Sequence, residues 1–291
     1  MPPRIRKVLF DAFGTLFSPR TPVANQYADV ARLSDLNVDP EQVKQGFKIA
    51  YKHWAKTHPV YGRCSTPPLD PTLWWSGLIR DTFHHAGVTE RELEEVESIL
   101  TKTLIERFWC AEGYSLHDDV LPAFQRLGAL SQTPDPSLRS PHFGVVSGSD
   151  PGVIKVLRSL GLLVDEGHVL VDGRSEFCQE NRWGIKEDEI FTTWAVGKEK
   201  NDVQFWEDVL EQFRVIEGKE CEAKNFLVVG DELVNDYMTP RKLGFQCLLL
   251  RRPLDEQARM TIDDEVGQED GVESVRSLVE VANWIERRHT R

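Results

Sequence analysis

The 291-residue sequence has few cysteines and no group of them that suits a metal site or a disulfide framework. Its five cysteines are scattered, none forms a CxxC pair, and no cluster of cysteine and histidine has the spacing of a zinc site. We therefore expect reduced thiols and a cytoplasmic location, with the nucleus as the alternative.

The sequence also lacks a surplus of positive charge and a long apolar run. Its formal net charge is −12, which argues against a nucleic-acid partner, because a surface that binds phosphate backbones is basic. No apolar run approaches the length of a membrane-spanning helix. The opening MPPRIRK leads directly into a predicted core strand, so we expect neither a cleavable signal nor a membrane partner. The oligomeric state is left open.

What the sequence does have is a change of pattern along the chain. Residues 5–11, IRKVLFD, predict a short buried strand, and residues from about 20 to 117 show the apolar spacing of helices. After Asp118 strands alternate with helices, which predicts a mainly parallel sheet with right-handed crossovers. We therefore predict a Rossmann-like three-layer α/β core formed by residues 1–19 and 118–291, with an all-helical domain inserted over residues 20–117.

Several elements can be predicted individually. Within the inserted domain, PEQVKQGFKIAYKHWAKT and TERELEEVESILTKTLIERFW predict helices, the second with a Thr/Glu start signal, and no segment predicts a strand. In the core, EIFTTWAV predicts a short strand and QCLLLRR the last strand. The segment 165–188 is longer than a crossover needs, which predicts a flap or a hairpin.

Four candidate functional side chains lie at or after predicted strand ends, where open parallel sheets hold their active sites. They are Asp11, Ser147, Lys200 and Asp231. Each alone has an ordinary explanation: an aspartate could cap a turn or helix, Ser147 could be a turn residue, and Lys200 a solvated surface lysine. Their occurrence together, in this order and with a helical insertion after the first, is far more specific.

This order resembles the haloacid dehalogenase-like (HAD) hydrolase superfamily over nearly the whole chain, and in particular its eukaryotic HAD-like hydrolase domain-containing group. FDAFGTLF is similar to the first motif of the superfamily, which implies a nucleophile at Asp11 and a supporting hydroxyl at Thr15. VVSGSD is similar to the second motif, which implies that Ser147 and Gly148 bind the phosphoryl group.

The other two motifs lie further along the chain. VGKEKNDVQFW is similar to the third motif and implies a catalytic lysine at Lys200, with Lys198 as the weaker candidate. VVGDELVNDYMTPRKLGF is similar to the fourth motif, with Asp231 and Asp236 as its acidic pair. The inserted helices resemble the helical cap of the superfamily.

The resemblance implies a magnesium-dependent hydrolase of the phosphatase type that acts on a small molecule, a phosphorylated metabolite. An aspartate at a strand end can attack phosphorus in line. Mg²⁺ prefers oxygen ligands, and the implied ligands are Asp11, the backbone carbonyl of Phe13, Asp231 and Asp236. Ser147 and Lys200 would then stabilise the charge on the phosphoryl oxygens, and the ammonium should hold Asp11 ionised.

Position 13 departs from the phosphatase pattern. Phosphatases of the superfamily usually carry a second aspartate there, which protonates the leaving group and then activates water. Phe13 can do neither, and general acid–base help contributes about 10²–10⁴-fold, so ordinary phosphomonoesters should be poor substrates. The 2-haloacid dehalogenases of the superfamily also have an aromatic residue there, in a very similar string, but their fourth motif lacks the acids of GDELVND.

Three hypotheses about function follow. The favoured one is a magnesium-dependent hydrolase with weak or specialised activity, for example on an acyl phosphate, whose leaving group tolerates the missing acid. The second is a catalytically silent HAD-fold binding or regulatory protein, and the third is a haloacid dehalogenase. The aromatic residues of the inserted domain, Trp54, Tyr61, Trp74 and Trp75, could line a lid over the site, but packing within that domain is favoured.

Overall fold

The computed structural model of the chain describes residues 3–129, 142–164, 169–171, 174–176, 184–217, 221–253 and 271–289. The strands in chain order are β1 (Lys7–Phe10), β2 (Phe17–Pro19), β3 (Tyr114–Leu116), β4 (His142–Ser147), β5 (Val169–Val171), β6 (Arg174–Glu176), β7 (Ile190–Thr192), β8 (Phe226–Gly230), β9 (Gln246–Leu250) and β10 (Ser274–Val275). The helices are α1 (Val23–Leu33), α2 (Pro40–Thr57), α3 (Pro71–His85), α4 (Glu90–Phe108), α5 (Val120–Ala129), α6 (Gly152–Ser159), α7 (Thr193–Val196), α8 (Val203–Glu217), α9 (Thr239–Arg241) and α10 (Leu278–His289). A wide helical turn, Leu233–Met238, leads into α9.

The central sheet has the strand order β10-β9-β8-β1-β4-β7, and all its neighbouring strands are parallel. The strand β1 lies in the interior of the sheet, where Phe10 is opposite Val145 on β4 and Val229 on β8. All four residues of β1 are buried, as expected for a parallel strand covered on both faces. The predicted parallel sheet is therefore confirmed.

The two faces of the sheet support two separate hydrophobic clusters. Because successive side chains of a strand point to opposite faces, Val8 and Phe10 pack with the cluster that includes α5, α6 and α10, whereas Leu9 packs with the cluster that includes Phe213 of α8. Helices therefore cover the sheet on both sides. This arrangement confirms the predicted three-layer α/β core.

The helices α1–α4 form the inserted domain, called the cap below, and share their own hydrophobic cluster. That cluster includes Tyr27 of α1, Val43 of α2, Phe83 of α3 and Leu104 of α4. The predicted helical insertion is therefore confirmed, while its limits at residues 20 and 117 stay a prediction.

Local sequence explains where the cap helices begin. Asp39 and Asp70 each precede a proline at the first helical position, and each side chain accepts a hydrogen bond from the backbone N–H two residues later. Thr89 and Glu92 form a reciprocal capping box at the start of α4, in agreement with the predicted start signal.

The prediction that residues 20–117 contain no strand is wrong at Tyr114–Leu116. This segment pairs antiparallel with Phe17–Pro19. The first of the two strands leads the chain from the core to the cap, and the second leads it back. A three-residue strand whose partner is almost a hundred residues away leaves no periodic signal, because its pairing depends on tertiary structure.

Other predicted elements differ in detail. EIFTTWAV forms the strand β7 only up to Thr192, whose hydroxyl then accepts a hydrogen bond from the Ala195 N–H and begins the helical turn α7. QCLLLRR forms β9, but β10 pairs beside it at the sheet edge, so β9 is not the last strand. In the segment 165–188, β5 and β6 pair as a hairpin; residues 165–168, 172–173 and 177–183 lie outside the described residues.

Among the described residues, no helix has both the length and the apolarity needed to cross a bilayer. The cysteines within the described residues, Cys64, Cys110, Cys221 and Cys247, are free thiols.

Candidate active site

Asp11 and Lys200 form a buried ion pair at the carboxyl edge of the sheet. Asp11 directly follows β1, and its backbone N–H donates to the Val229 carbonyl of β8 at 2.9 Å. The Lys200 ammonium lies 2.5 Å from Asp11 Oδ1 and 2.6 Å from Asp236 Oδ1. Only 3% of Lys200 is exposed, so its charge is compensated by these carboxylates rather than by water.

The two lysines of the VGKEKND motif have different surroundings. The Trp206 indole N–H donates to the Lys200 carbonyl at 2.9 Å, which fixes the loop that carries Lys200 into the site. Lys198 instead pairs with Asp208 of α8 at 2.7 Å. Of the two candidates, Lys200 is therefore the one that contacts Asp11.

Two further carboxylates complete an acidic cluster around Asp11. Asp231 Oδ1 accepts a hydrogen bond from the Thr15 hydroxyl at 2.9 Å. Asp236 is fully buried, and its Oδ2 accepts the Glu232 backbone N–H at 2.9 Å. One oxygen each of Asp11, Asp231 and Asp236 lies within 4.8 Å of the others.

The acidic cluster fits a hard divalent cation such as Mg²⁺. Its ligand atoms are all oxygens, which such cations prefer. Three carboxylates surround one ammonium, so their full ionisation leaves excess negative charge that a cation would offset. The backbone at Gly14 lies close to the Asp231 carboxylate, because a Cβ added there would overlap it. Gly14 also has a φ of +79°, a conformation that favours glycine.

The pKa values reflect this crowding of charge. Burial raises the pKa of Asp11 from 3.8 to about 8; the Lys200 ammonium opposes the shift, and the charges of Asp236 and Asp231 add to it. Burial likewise raises the pKa of Asp231. Burial alone would lower the pKa of Lys200, but the charges of Asp11 and Asp236 outweigh it and raise that pKa. The Lys200 ammonium thus lowers the pKa of Asp11, as expected. In the metal-free protein, however, the effect of burial is larger, so the net shift is upward.

The end of β4 contributes the predicted phosphate-binding residues. Ser147 is fully buried, and its hydroxyl accepts a hydrogen bond from the Ser149 hydroxyl at 2.9 Å. The Gly148 carbonyl accepts a hydrogen bond from the Tyr61 hydroxyl of the cap at 2.7 Å. The strand end therefore meets the cap directly.

A cavity of about 240 Å³ opens in front of Asp11, between the core and the cap. Among the predicted site residues, Asp11, Phe13, Gly148 and Lys200 line it. Its remaining lining residues are Tyr51, Ala55, Val60, Tyr61 and Trp74 from the cap and Glu199, Asn201, Glu232 and Asn235 from the core. Thr15, Ser147, Asp231 and Asp236 are not among its lining residues and lie around it.

The Phe13 side chain packs into an aromatic group at the junction of core and cap. Its ring meets the rings of Phe17 and Tyr114 edge to face, with centroids 4.8 Å and 5.5 Å away. No carboxylate occupies the position of the second aspartate of phosphatases.

The cap loop of residues 58–70 holds the cap against the core. Val60 and Tyr61 both have positive φ angles, 54° and 52°, which for a β-branched residue such as Val60 is a strained conformation. Val60 and Glu199 both line the cavity, and the Tyr61 hydroxyl donates to the Gly148 carbonyl of the core. The strain is thus accompanied by contacts that span the cavity.

The aromatic residues of the cap have two kinds of contact. Trp74 is buried, and its ring packs at 5.1 Å from Tyr61 and at 4.9 Å from Trp75, which is the packing within the cap that the sequence favoured, but Tyr61 and Trp74 also line the cavity, as in the alternative of a lid. The Trp75 indole also donates to Asp150 Oδ2 in the core at 2.7 Å. Tyr61, Trp74 and Trp75 therefore face the core as well as the cap.

Sequence reasoning missed the polar cavity residues. Glu199 and Asn201 flank Lys200, and Glu232 and Asn235 lie within the fourth motif, so their closeness to motif residues was an available signal. Tyr51 lies within α2, and its sequence neighbourhood gives no sign of a site.

Comparison with known proteins agrees with this fold and motif order, although no family model matches the chain. The chain is 28% identical over 261 residues to haloacid dehalogenase-like hydrolase domain-containing protein 3 of Danio rerio, covering 90% of this chain and 91% of that protein. Its fold is similar to that of a Bacillus subtilis protein described as a HAD-hydrolase and solved with bound magnesium. The TM-score is 0.56 at 14% identity, and the match covers 97% of this chain and 99% of that one. A 2-haloacid dehalogenase of Pseudomonas syringae matches with a TM-score of 0.55, 13% identity, and coverage of 98% and 99%.

At this low identity the two solved structures show similarity of fold alone. The similarity in sequence to the Danio rerio protein extends along most of the chain. Together they bear out the resemblance of this chain to HAD-like hydrolases, in sequence over most of its length and in fold.

Proposed function

We propose that the chain is a magnesium-dependent hydrolase of the phosphatase type, with Asp11 as its nucleophile and a small phosphorylated molecule as its substrate. One observation carries the proposal: Asp11 and Lys200 form a buried pair beside two further carboxylates, and both line a cavity between the core and the cap. Active sites of open parallel sheets lie at this edge.

The acidic cluster is the proposed metal site. Asp11, Asp231, Asp236 and the backbone carbonyl of Phe13 would hold Mg²⁺ there. When bound, the ion would offset negative charge on the phosphoryl oxygens. The Thr15 hydroxyl orients Asp231 through its hydrogen bond of 2.9 Å, and Gly14 leaves room for that carboxylate.

The proposed reaction has two displacements at phosphorus. Asp11 Oδ forms a bond to phosphorus while the bond to the leaving oxygen breaks, and the electron pair departs with that oxygen. Water then attacks the aspartyl phosphate, releases inorganic phosphate and restores Asp11. Lys200, Ser147 and the Gly148 backbone N–H are the proposed donors to the phosphoryl oxygens.

Phe13 restricts the substrates of this reaction. Its aromatic ring cannot protonate a leaving alkoxide, and general acid help is worth about 10²–10⁴-fold. A carboxylate leaving group needs no such help, so acyl phosphates should react faster than alkyl phosphomonoesters.

The test is phosphate release from acetyl phosphate, p-nitrophenyl phosphate and a set of alkyl phosphomonoesters, with and without Mg²⁺. We expect magnesium-dependent release that is faster for acetyl phosphate than for the alkyl phosphomonoesters and absent in Asp11→Asn. Release that continues unchanged in Asp11→Asn, or no release above that variant, would contradict the proposal.

A second candidate is a catalytically silent binding protein, and Phe13 is the observation that favours it. Under this hypothesis the wild-type protein would bind magnesium and phosphate but release no product from any compound of the panel. Asp11-dependent turnover of any of them excludes it.

A carbon–halogen hydrolase is the third candidate, because an aromatic residue at position 13 also occurs in the 2-haloacid dehalogenases. Metal-independent halide release from 2-chloropropionate would favour this candidate. If no halide is released from any of a broad set of haloacids, the carbon–halogen hydrolase is excluded.

The free thiols favour a reducing compartment, and we place the proposed enzyme in the cytoplasm. Imaging of the tagged full-length chain tests this location.

A further inference from the structure

A second cavity, of about 300 Å³, adjoins the one in front of Asp11. Both cavities are lined by Phe13, Tyr61 and Gly148, so they meet at these residues. The second cavity, called the aromatic chamber below, extends away from Asp11 between the cap and the core. Its volume lies at the lower end of the range for pockets that bind small organic molecules.

Aromatic side chains from both domains form the walls of the aromatic chamber. They include Phe13 and Tyr114 near the junction and Tyr27, Phe47, Trp75 and Phe108 from the cap. These rings support one another: Tyr27 lies 5.6 Å from Phe108, and Phe108 lies 5.9 Å from Tyr114. The walls are therefore held in place before any ligand enters.

Several polar side chains at the wall of the chamber already have partners within the protein. Asp150 accepts the Trp75 indole N–H with Oδ2 at 2.7 Å and the Gly152 backbone N–H with Oδ1 at 2.5 Å. The Tyr61 hydroxyl donates to the Gly148 carbonyl. None of the residues described as lining the chamber is a lysine, arginine or histidine. A second phosphate would therefore meet no cationic side chain there, and a sugar would exchange most of its hydrogen bonds to water for contact with aromatic rings.

From this juxtaposition we infer that the aromatic chamber holds the leaving group, and that the substrate class is an aryl phosphate or an aroyl phosphate. The inference rests on the proposed function, since it assumes that the phosphoryl group lies at Asp11. It extends that function to a substrate class, because two features favour the same compounds. The apolar walls favour an aromatic leaving group, and the lack of an acid at position 13 favours a leaving group that needs no proton. A phenolate or an aromatic carboxylate departs with the electron pair of the broken P–O bond and needs no proton from position 13.

The first test compares the binding of two unreactive phosphonates to the wild-type protein in Mg²⁺ by titration calorimetry. Benzylphosphonate and methylphosphonate share the phosphoryl end and differ in the ring that would enter the chamber. We expect benzylphosphonate to bind at least about tenfold more tightly, because burial of a phenyl group is worth that much or more. A smaller preference, including no binding of either compound, would overturn the inference.

The second test fills the chamber without changing the proposed catalytic residues. Ile79 of α3 lines the chamber and is 2% exposed, whereas Ile99 of α4 is 67% exposed on the outside of the cap. Ile79→Phe should remove most of the preference for benzylphosphonate, and the matched control Ile99→Phe should keep it. Thermal unfolding checks that Ile79→Phe is folded. If it is not folded, the wild-type comparison alone decides.

Turnover separates the failure of this inference from the failure of the proposed function. A wild-type protein that binds benzylphosphonate with the expected preference but hydrolyses no phosphoryl compound would support the chamber and refute the hydrolase. A protein that hydrolyses acetyl phosphate as fast as benzoyl phosphate, at equal low concentration, would support the hydrolase and refute the chamber.

Discussion

At the scale of single residues, the charge of Lys200 is the centre of the site. Its ammonium contacts Asp11 and Asp236 and is almost wholly buried, so any carboxylate that is ionised there depends on it for compensation. Removing one member of a buried ion pair is costly, because the charge that remains cannot be hydrated.

We therefore predict that Lys200→Met lowers the free energy of unfolding of the metal-free protein by about 3–5 kcal/mol at neutral pH. Urea unfolding in the presence of EDTA measures this change. The matched control is Lys198→Met, which removes a neighbouring lysine that pairs with Asp208 at the surface and should change stability little. Equal effects of the two substitutions would contradict the account of Lys200.

The raised pKa of Asp11 predicts a pH dependence of stability. The folded protein holds the Asp11 proton up to about pH 8, whereas the unfolded chain loses it near the ordinary value of 3.8. Between these values the folded state binds more protons, so the free energy of unfolding should fall as pH rises. Lys200 has a raised pKa and is charged in both states over this window, so it adds no slope.

We expect the metal-free wild-type protein to lose roughly a few kcal/mol of stability between pH 5 and pH 9 relative to Asp11→Asn. Urea unfolding of both proteins in EDTA at several pH values gives the difference. Adding Mg²⁺ at pH 9 should return part of the loss in the wild-type protein, because a cation favours ionised carboxylates. Parallel stability curves for the two proteins would contradict the raised pKa.

Position 13 offers a gain-of-function prediction. Phe13→Asp should raise the turnover of alkyl phosphomonoesters by about 10²–10⁴-fold, because it supplies the missing acid and base. The ring contacts of Phe13 with Phe17 and Tyr114 would be lost, so the folded state of the variant must be checked by thermal unfolding. Phe13→Asn is the matched control and should give no gain. A folded Phe13→Asp without a gain would mean that the proposed metal site or nucleophile is not functional.

At the scale of elements, the cap loop of residues 58–70 joins the two domains. The Tyr61 hydroxyl bonds Gly148 directly above the site, and the left-handed backbone at Val60 and Tyr61 is what brings this side chain there. A strained loop held by a few hydrogen bonds is expected to open locally before the rest of the fold.

We predict that Tyr61→Phe makes this opening more frequent. The substitution removes one hydrogen bond worth about 1 kcal/mol, so hydrogen exchange of the loop amides should rise about fivefold. Ser76→Ala is the control, because the Ser76 hydroxyl donates to Thr72 within the same helix. Unchanged exchange in Tyr61→Phe would show that this bond does not hold the cap closed.

The sequence predicted those elements whose signal is local. The cap helices begin at capping residues that can be read directly, such as Asp39 and Thr89, and β1 is a continuous apolar run that ends at Asp11. The strands β3 and β10 could not be predicted in this way. Each has only two or three residues and is defined by a partner elsewhere in the chain.

At the scale of the whole molecule, the sheet topology explains how distant motifs meet. β8, β1 and β4 are adjacent and parallel, so the residues after their carboxyl ends share one edge although they are far apart in sequence. Motif order was enough to predict that Asp11, Lys200 and Asp236 belong to one site. The motif also favoured Lys200 over Lys198, and in the structure Lys200 contacts Asp11 whereas Lys198 pairs with Asp208.

The motifs do not extend to the cap side of the site, where the sequence offered Tyr61 and Trp74 only as an alternative to packing within the cap. Tyr51, Tyr61 and Trp74 reach the cavity from two helices and a loop, and their positions depend on how the cap packs on the core. The aromatic chamber exists for the same reason, since its walls come from both domains. The residues that line both cavities therefore come together only in the folded molecule.

The central claim is that Asp11 becomes phosphorylated during turnover. Its most direct test is rapid acid quench of the protein with acetyl phosphate and Mg²⁺, followed by mass spectrometry of the peptide that contains Asp11. We predict a phosphoryl adduct on that peptide in the wild-type protein, dependent on Mg²⁺ and absent in Asp11→Asn. Phosphate release without any adduct, or an adduct that persists in Asp11→Asn, would contradict the account.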